Sequence, residues 1–199
     1  AGDRCLELYK NIQADPQGDA GRETILDGED TSNHVVDIAD AEHITIAHIT
    51  LVGGNAKDIT QAHKSMGGGV LIRGSSHAIR LNNLVIKNSQ ANDKGGGIAI
   101  IDDAYDVAVD STRISSCQAH YGGGVALLGN AHDVSFYRSR IVTNSAKQAD
   151  GAGGGVAIVG GVYDVRFSGV SVEGNIKATA TPGDGVGVWI QDDGQGGHP

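Results

Sequence analysis

The chain has 199 residues, a length that fits one domain, with 31 glycines, 3 prolines and a formal net charge of −9. Hydrophobic residues make up 39% and aromatic residues only 4%, which favours thin layers of β-branched side chains over a globular core built on large rings. An acidic chain is a poor binder of nucleic acid, and no apolar run approaches the ~20 residues of a membrane-spanning helix, so we expect neither a nucleic-acid partner nor a membrane span.

The first 34 residues are the least regular part of the chain. Leu6 and Leu8 alternate as in a strand, residues 15–19 are rich in turn formers, and Thr24-Ile25-Leu26 has the pattern of a short strand. We expect residues 1–34 to form an N-terminal cap or an irregular first coil.

From residue 35 onward an apolar pair spaced two residues apart recurs, first as Val36 and Ile38, and from Gly67 onward a glycine triplet precedes each copy. Full copies begin at Gly67, Gly95, Gly122 and Gly153, and a worn copy covers residues 183–188. The steps between copies are 28, 27, 31 and 30 residues, measured along the series Val70, Ile98, Val125, Val156 and Val186. This period indicates a solenoid, and glycine at this place favours a sharp corner with φ > 0.

Each repeat contains three short alternations of apolar residues, such as Val70/Ile72, Ile79/Leu81 and Leu84/Ile86. Only about two residues separate the second from the third, too few for a hairpin, so the chain must turn a corner there. Strands of one coil then stack on their copies in the next. We predict an all-β, right-handed parallel β-helix of about five to six coils over residues 35–190.

Residues 191–199 form a polar, glycine-rich tail that is expected to cap the second end poorly. The chain is therefore expected either to be a piece of a longer protein or to join a partner there. Cys5 and Cys117 lie several coils apart, and stacked strands rise about 4.8 Å each. Because a disulfide needs Cα atoms within about 7 Å, we predict that these cysteines are not bonded to each other.

The register resembles the right-handed parallel β-helix family typified by pectin and pectate lyases, over about residues 24–190. The segment from Asn144-Ser145-Ala146 to residues 153–158 is also similar to repeats of polymorphic outer-membrane and autotransporter passenger proteins. The resemblance implies a fold and leaves function open, since this fold hosts lyases, hydrolases, adhesins and tail spikes. It also implies an asparagine ladder that begins at Asn82 or Asn83.

The loops that end at the glycine triplets vary most in length, and variable loops on a rigid scaffold tend to carry function. Counting back from the triplets places Lys94 beside Tyr121 and Asp93 beside His120. In an enzyme, Lys94, His120 and Tyr121 would supply the base and acid that remove a proton next to a uronate carboxylate. The simpler alternative is a solvated polar edge. Neighbouring ligand-binding candidates are His63, Lys64, Lys147 and Asp150.

Arg113 and Arg140 are two further ligand-binding candidates, because arginine ladders clamp carboxylate or sulfate groups. The alternative is that they balance the nearby acids Asp110 and Glu173. Four rings share one position after the first strand of successive coils: His77, Tyr105, His132 and Tyr163. Stacked rings at a corner are usually structural, and the alternative is a platform that binds carbohydrate. We expect no metal or other cofactor. A calcium site is weakly suggested by Asp93, Asp150 and Asp184.

The outward positions of the first strands are small and apolar, unlike the charged floor expected in a groove for acidic sugars. No paired carboxylates suited to glycoside hydrolysis appear there. An apolar stripe on a solenoid more often marks contact with another chain or with a covering segment. The interface candidates are Leu71, Ile101, Leu128, Val159 and Trp189.

These features favour an extracellular or cell-surface β-helix module that contacts glycans or other proteins without catalysis of its own. Its partner would be an acidic polysaccharide or a surface glycan, or else protein chains that meet the apolar first sheet. The alternative is a polysaccharide lyase or a related enzyme acting on acidic glycans. A second alternative is a structural subunit of a fibre or spike.

Overall fold

The computed structural model describes residues 7–8, 12–13, 24–29, 33–58, 62–148, 150–178 and 185–192. Over these residues the chain is a right-handed parallel β-helix of about five turns, as the repeats predict. Three strands precede the regular turns: β1 (Glu7–Leu8), β2 (Ile12–Gln13) and β3 (Thr24–Asp27).

Each regular turn contains four strands. The first turn has β4 (Val36–Ala39), β5 (Thr45–Ala47), β6 (Ile49–Val52) and β7 (Asn55–Ala56). The second has β8 (Val70–Arg73), β9 (His77–Asn82), β10 (Val85–Lys87) and β11 (Gln90–Ala91). The third has β12 (Ile98–Ile100), β13 (Tyr105–Asp110), β14 (Arg113–Ser115) and β15 (Gln118–Ala119).

The fourth turn has β16 (Val125–Leu128), β17 (His132–Tyr137), β18 (Arg140–Val142) and β19 (Ser145–Ala146). The fifth has β20 (Val156–Val159), β21 (Tyr163–Ser168), β22 (Ser171–Glu173) and β23 (Ile176–Lys177). A further first-position strand follows, β24 (Val188–Gln191). A short 3₁₀ helix, Ala62–Ser65, lies in the loop between the first two turns. No helix in the described ranges is long and apolar enough to cross a membrane.

Strands at the same place in successive turns pair in parallel and form four sheets, numbered here by strand position. The first sheet runs from β4 through β8, β12, β16 and β20 to β24, and the third from β3 to β22. At the N-terminal end β1 pairs antiparallel with β4, and β2 pairs antiparallel with β3. The fourth sheet is additional to the three strands per coil predicted, because its two-residue strands are too short to show alternation. The boundaries at residues 34 and 190 stay predictions.

The glycine triplets form the corner that the repeat predicts. Their first residues adopt positive φ, with 66° at Gly67 and 67° at Gly95. Their other residues lie where neighbouring turns approach closely, since a Cβ on Gly97 would stand 2.6 Å from the carbonyl oxygen of Gly124. Glycine is therefore required both by backbone conformation and by contact between turns.

The last described turn has a different register from the one the sequence predicts. Val156 pairs with Val188 and Ala157 pairs with Trp189, so the alignment of Val186 with Val156 is wrong by two residues. Residues 185–187 take the place of the glycine triplet, since the Gly153 N–H donates to the carbonyl of Gly185. Trp189 therefore lies at the outward position beside Ala157.

Inside the solenoid, an asparagine ladder crosses the corner between the third and fourth strands. The Asn144 side-chain amide donates to Asn175 Oδ1 at 3.1 Å, and the Cys117 N–H donates to Asn144 Oδ1 at 2.9 Å. Asn83 is exposed, so the ladder expected at Asn82 or Asn83 is misplaced. Cys117 is a free thiol whose burial raises its pKa to about 12, and Cys5 lies outside the described residues.

Candidate functional site

The outer face of the first sheet is covered, although the sequence predicts an exposed apolar stripe there. Leu71 is fully buried and Ile101 is 6% exposed, and they pack with Met66 and Leu128 in an outer cluster. Met66 comes from the loop directly before a glycine triplet, so that loop folds over the sheet. The prediction that Leu71 and Ile101 form an interface with another chain is therefore wrong, and the alternative predicted for the stripe, a covering segment, is the one found at these residues. The other three predicted interface residues are half-buried: Leu128, Val159 and Trp189.

The residues directly before the glycine triplets form a ladder along the first sheet. Lys94 pairs with Tyr121, and Tyr121 pairs with Ala152, as parallel β-bridges. The predicted placement of Lys94 beside Tyr121 is confirmed. Together with His120 and Trp189, Lys94 and Tyr121 make up what we call the loop edge.

Three aromatic rings stack along the loop edge. The ring centroids of His120 and Tyr121 are 4.1 Å apart, and those of Tyr121 and Trp189 are 5.3 Å apart. Lys94 Nζ lies 5.6 Å from the Tyr121 centroid, within the ~6 Å range of a cation–π contact. Trp189 stands two turns beyond Tyr121, and the small side chains of Ala152 and Ala157 in the turn between leave room for the indole.

Lys94 and His120 of the loop edge each contact a carboxylate. Lys94 Nζ donates to the two carboxylate oxygens of Asp93 at 2.8 Å each. His120 Nε2 lies 2.9 Å from Asp150 Oδ1, a contact that orients the imidazole. The His120 side chain is only 17% exposed, whereas that of Asp150 is 73% exposed. Asp150 is therefore the partner that an incoming anion can most readily replace.

The remaining loop candidates have other partners. Lys147 Nζ donates to Gln90 Oε1 at 2.7 Å. Its pKa is lowered, first by partial desolvation and then by the positive charge of Lys57. Lys64 Nζ lies 3.9 Å from Asp58 Oδ2. His63 lines a shallow depression on the outer face of the first sheet, together with Met66, Arg73 and Asp102.

Arg113 and Arg140 are neighbours in the third sheet and are exposed. Arg140 donates to Glu173 at 3.2 Å, as the charge-balancing alternative predicts. The pKa of Glu173 is lowered, first by the Ser171 hydroxyl and then by Arg140. Asp110 instead pairs with Arg138, which donates from Nε at 2.9 Å.

The four rings after the first strand share one ladder position, as predicted. Successive centroids are 4.7, 5.2 and 4.6 Å apart along the series His77, Tyr105, His132 and Tyr163. The faces of these rings cover one another, as the structural alternative expects, and a carbohydrate platform at this ladder stays a prediction.

Sequence reasoning missed a polar cluster at the N-terminal end of the first sheet. Arg73 donates from Nε to Asp37 at 3.0 Å and from Nη2 at 3.1 Å, and this pair raises the pKa of Arg73. His34 is 4% exposed, with Nδ1 3.0 Å from the Gly67 carbonyl oxygen. Burial lowers the pKa of His34. Asp37 lies in the first copy of the apolar pair, so the register could have placed it near Arg73, whereas His34 lies before the register begins.

No group of three or more His, Cys, Asp or Glu side chains among the described residues is arranged to hold a metal ion. Asp93 and Asp150 face Lys94 and His120, and Asp184 lies outside the described residues. A calcium site between these loops stays a prediction.

Comparison with known proteins finds no matching family model, no similar curated protein and no matching solved structure. The resemblance to pectate lyases and to passenger proteins therefore rests on the repeat pattern alone.

Proposed function

We propose that this chain is a non-catalytic β-helix module that binds an acidic glycan along the loop edge, outside the cell or at its surface. The observation that carries the proposal is the continuous row of His120, Tyr121 and Trp189 rings with the Lys94 ammonium beside them. Tyr121 lies between the other two rings, so a sugar would meet the outer face of the Trp189 indole and the ring edges with its C–H face, and the polar groups beside them would fix its orientation.

The charge on the loop edge favours an acidic sugar over a neutral one. Lys94 and His120 are positioned to meet a carboxylate, and the exposed Asp150 can give way to it on His120. The resting contacts of Lys94 with Asp93 and of His120 with Asp150 must be broken on binding, so we expect a modest affinity.

Protein contact through the first sheet has less support than glycan binding. That alternative needs an exposed apolar face, whereas Leu71 is fully buried and Ile101 is nearly so. The similarity of the repeats to those of pectate lyases and passenger proteins supports a location outside the cell or on its surface.

Calorimetric titration with polygalacturonate, alginate and a neutral glucan tests the proposal. We expect saturable binding of an acidic glycan, at least about tenfold weaker in Trp189→Ala, which corresponds to about 1.4 kcal/mol. Tyr105→Ala is the matched control, because it removes a stacked ring from another corner. Failure to bind any of these glycans, or equal loss in both variants, would contradict the proposal.

A polysaccharide lyase that acts on acidic glycans is the second candidate. The observation that favours it is the contact of His120 with Asp150, beside the Tyr121 ring. In this candidate His120 removes the proton next to the uronate carboxylate, Lys94 binds that carboxylate, and Tyr121 protonates the leaving oxygen.

The lyase assay follows the absorbance of unsaturated products on the same acidic glycans, with and without calcium. A lyase requires a rising signal that disappears in His120→Asn and persists in Tyr105→Ala. No signal on any acidic glycan, in a preparation that still binds one, would exclude this candidate and support the non-catalytic module.

A further inference from the structure

The end of the solenoid formed by the fifth turn and β24 is exposed and apolar. Of the seven large apolar residues exposed in the described part of the chain, six lie at this end. They are Tyr163, Phe167, Ile176, Val186, Val188 and Ile190. Ile190 is 70% exposed and Ile176 is 59% exposed. Large apolar side chains exposed together at one end of a solenoid favour a contact site there.

All four sheets terminate at this end. Their last strands are β24 in the first sheet, β21 in the second, β22 in the third and β23 in the fourth. Terminal strands present a row of backbone N–H and C=O groups that pair readily with another chain. Among the described residues, the asparagine ladder has its last member at this end, where the Asn144 N–H donates to Asn175 Oδ1 of the fifth turn.

Two aromatic stacks end on the same surface. Tyr163 stacks on His132 at 4.6 Å, and Phe167 stacks on Phe136 at 5.0 Å. Tyr163 is 39% exposed and Phe167 is 37% exposed, so both stacks end in partly exposed rings at this end of the solenoid.

The N-terminal end of the solenoid differs from the C-terminal end, and this difference indicates how a second copy would meet the C-terminal end. There β1 and β2 already pair antiparallel with β4 and β3, so the edges of the first and third sheets are covered. A head-to-tail stack of copies would find those two edges occupied. A contact between the C-terminal ends of two copies meets no such obstacle, and antiparallel pairing is the mode that already closes the first and third sheets.

We propose that two copies of this chain pack their C-terminal ends together as a twofold dimer. A twofold contact places the same surface on both sides, and a mainly apolar end can meet itself without strong charge repulsion. A turn of about 30 residues also matches the roughly 20–30 residues that each partner contributes to a standard interface. The resulting assembly is closed, so this contact builds a dimer and not a fibre.

Sedimentation velocity across a micromolar concentration series tests the proposal on the full chain. We expect a reversible monomer–dimer equilibrium, with a dissociation constant at least about tenfold higher in Ile190→Asp and in Ile176→Asp. The matched control is Ile25→Asp, which adds a charge near the opposite end at a residue that is 37% exposed. Circular dichroism verifies that every variant keeps its β structure.

Three outcomes would overturn the proposal. One is a strict monomer at the highest concentration, which would mean that the remainder of the chain covers this end. Another is a dimer that neither Ile190→Asp nor Ile176→Asp weakens in folded form. The last is continuous growth into larger species, which would show an open-ended contact and favour a fibre subunit.

Discussion

The glycine corners and the positions directly before them are adjacent in each of these turns, yet the two kinds of position differ in how widely their residues vary. The corners repeat glycine because φ is positive and neighbouring turns leave no space for a Cβ. The residue just before each corner lies over the outer face of the first sheet, where side chains of very different size fit. These residues are Met66, Lys94, Tyr121 and Ala152. The corners thus determine the fold, and the adjoining edge is free to carry the chemistry.

The largest effect is expected from a methyl group added at a corner. In Gly97→Ala the new Cβ would lie 2.6 Å from both Gly124 O and Ile114 Cγ2. We therefore expect a loss of about 3–5 kcal/mol in the free energy of unfolding, or failure to fold. Denaturant titration followed by circular dichroism measures the loss.

Gly169→Ala is the matched control for contact between turns. Gly169 has positive φ, at 64°, which Gly97 does not, and the nearest atom to an added Cβ at Gly169 is 3.8 Å away. We expect a cost of about 1–2 kcal/mol from backbone conformation alone. Equal losses in Gly97→Ala and Gly169→Ala would show that close approach of the turns is not what requires glycine.

A smaller effect is expected inside the asparagine ladder. Asn144→Ala removes the acceptor of the Cys117 N–H and the donor to the Ile114 carbonyl, in a fully buried site. We expect a loss of about 2–4 kcal/mol, because buried polar groups would be left without partners. Ser145→Ala, next in sequence and half-buried, should change stability by less than about 1 kcal/mol. If the two substitutions cost the same in denaturant titrations, the ladder does not support the corner.

The buried His34 should make stability depend on pH. Burial lowers its pKa below the ordinary 6.5 despite the nearby Asp37, so the unfolded chain binds more protons in the interval between the two values. Stability rises with pH where the unfolded state binds more protons, and therefore it should fall as pH drops below 6.5. His34→Gln cannot titrate and should lose less stability between neutral and mildly acidic pH. An unchanged pH dependence in denaturant titrations would contradict this role.

The smallest effect on stability is expected at the loop edge. Met66 occupies the position equivalent to Lys94, so Lys94→Met should change the free energy of unfolding by no more than about 0.5 kcal/mol. The same variant should bind acidic glycans more weakly. A large loss of stability in thermal or denaturant unfolding would show that the Lys94–Asp93 pair is structural.

The sequence could predict the fold because its strongest signal is periodic. Each triplet and its following apolar pair repeats a steric requirement, so strands such as β8 and β12 could be placed in register. The fourth strand of each turn was missed because two residues show no alternation. In the last turn, the glycines at 183 and 185 resemble a triplet that the structure forms at 185–187 instead.

The candidate site was harder to predict because it depends on which side chains and loops lie over the first sheet. Counting back from the triplets places Lys94 beside Tyr121 correctly, since both residues are tied to the same corner. It does not reveal that Trp189 reaches back to Tyr121, because that contact spans two turns and depends on small residues between them. The apolar stripe at Leu71 left open whether another chain or a covering segment lies over it, because a one-dimensional pattern does not show whether a loop folds over a sheet.

Fluorescence of Trp189, the single tryptophan of the chain, tests the central claim most directly because the indole belongs to the loop edge. Titration with an acidic oligosaccharide should change its emission saturably in the wild type and in Tyr105→Ala. In Lys94→Met the midpoint should move to at least about tenfold higher concentration, since a charge-assisted contact to the carboxylate is lost. An emission unchanged by every acidic glycan, or a midpoint that Lys94→Met leaves in place, would contradict the assignment of the loop edge as the binding site.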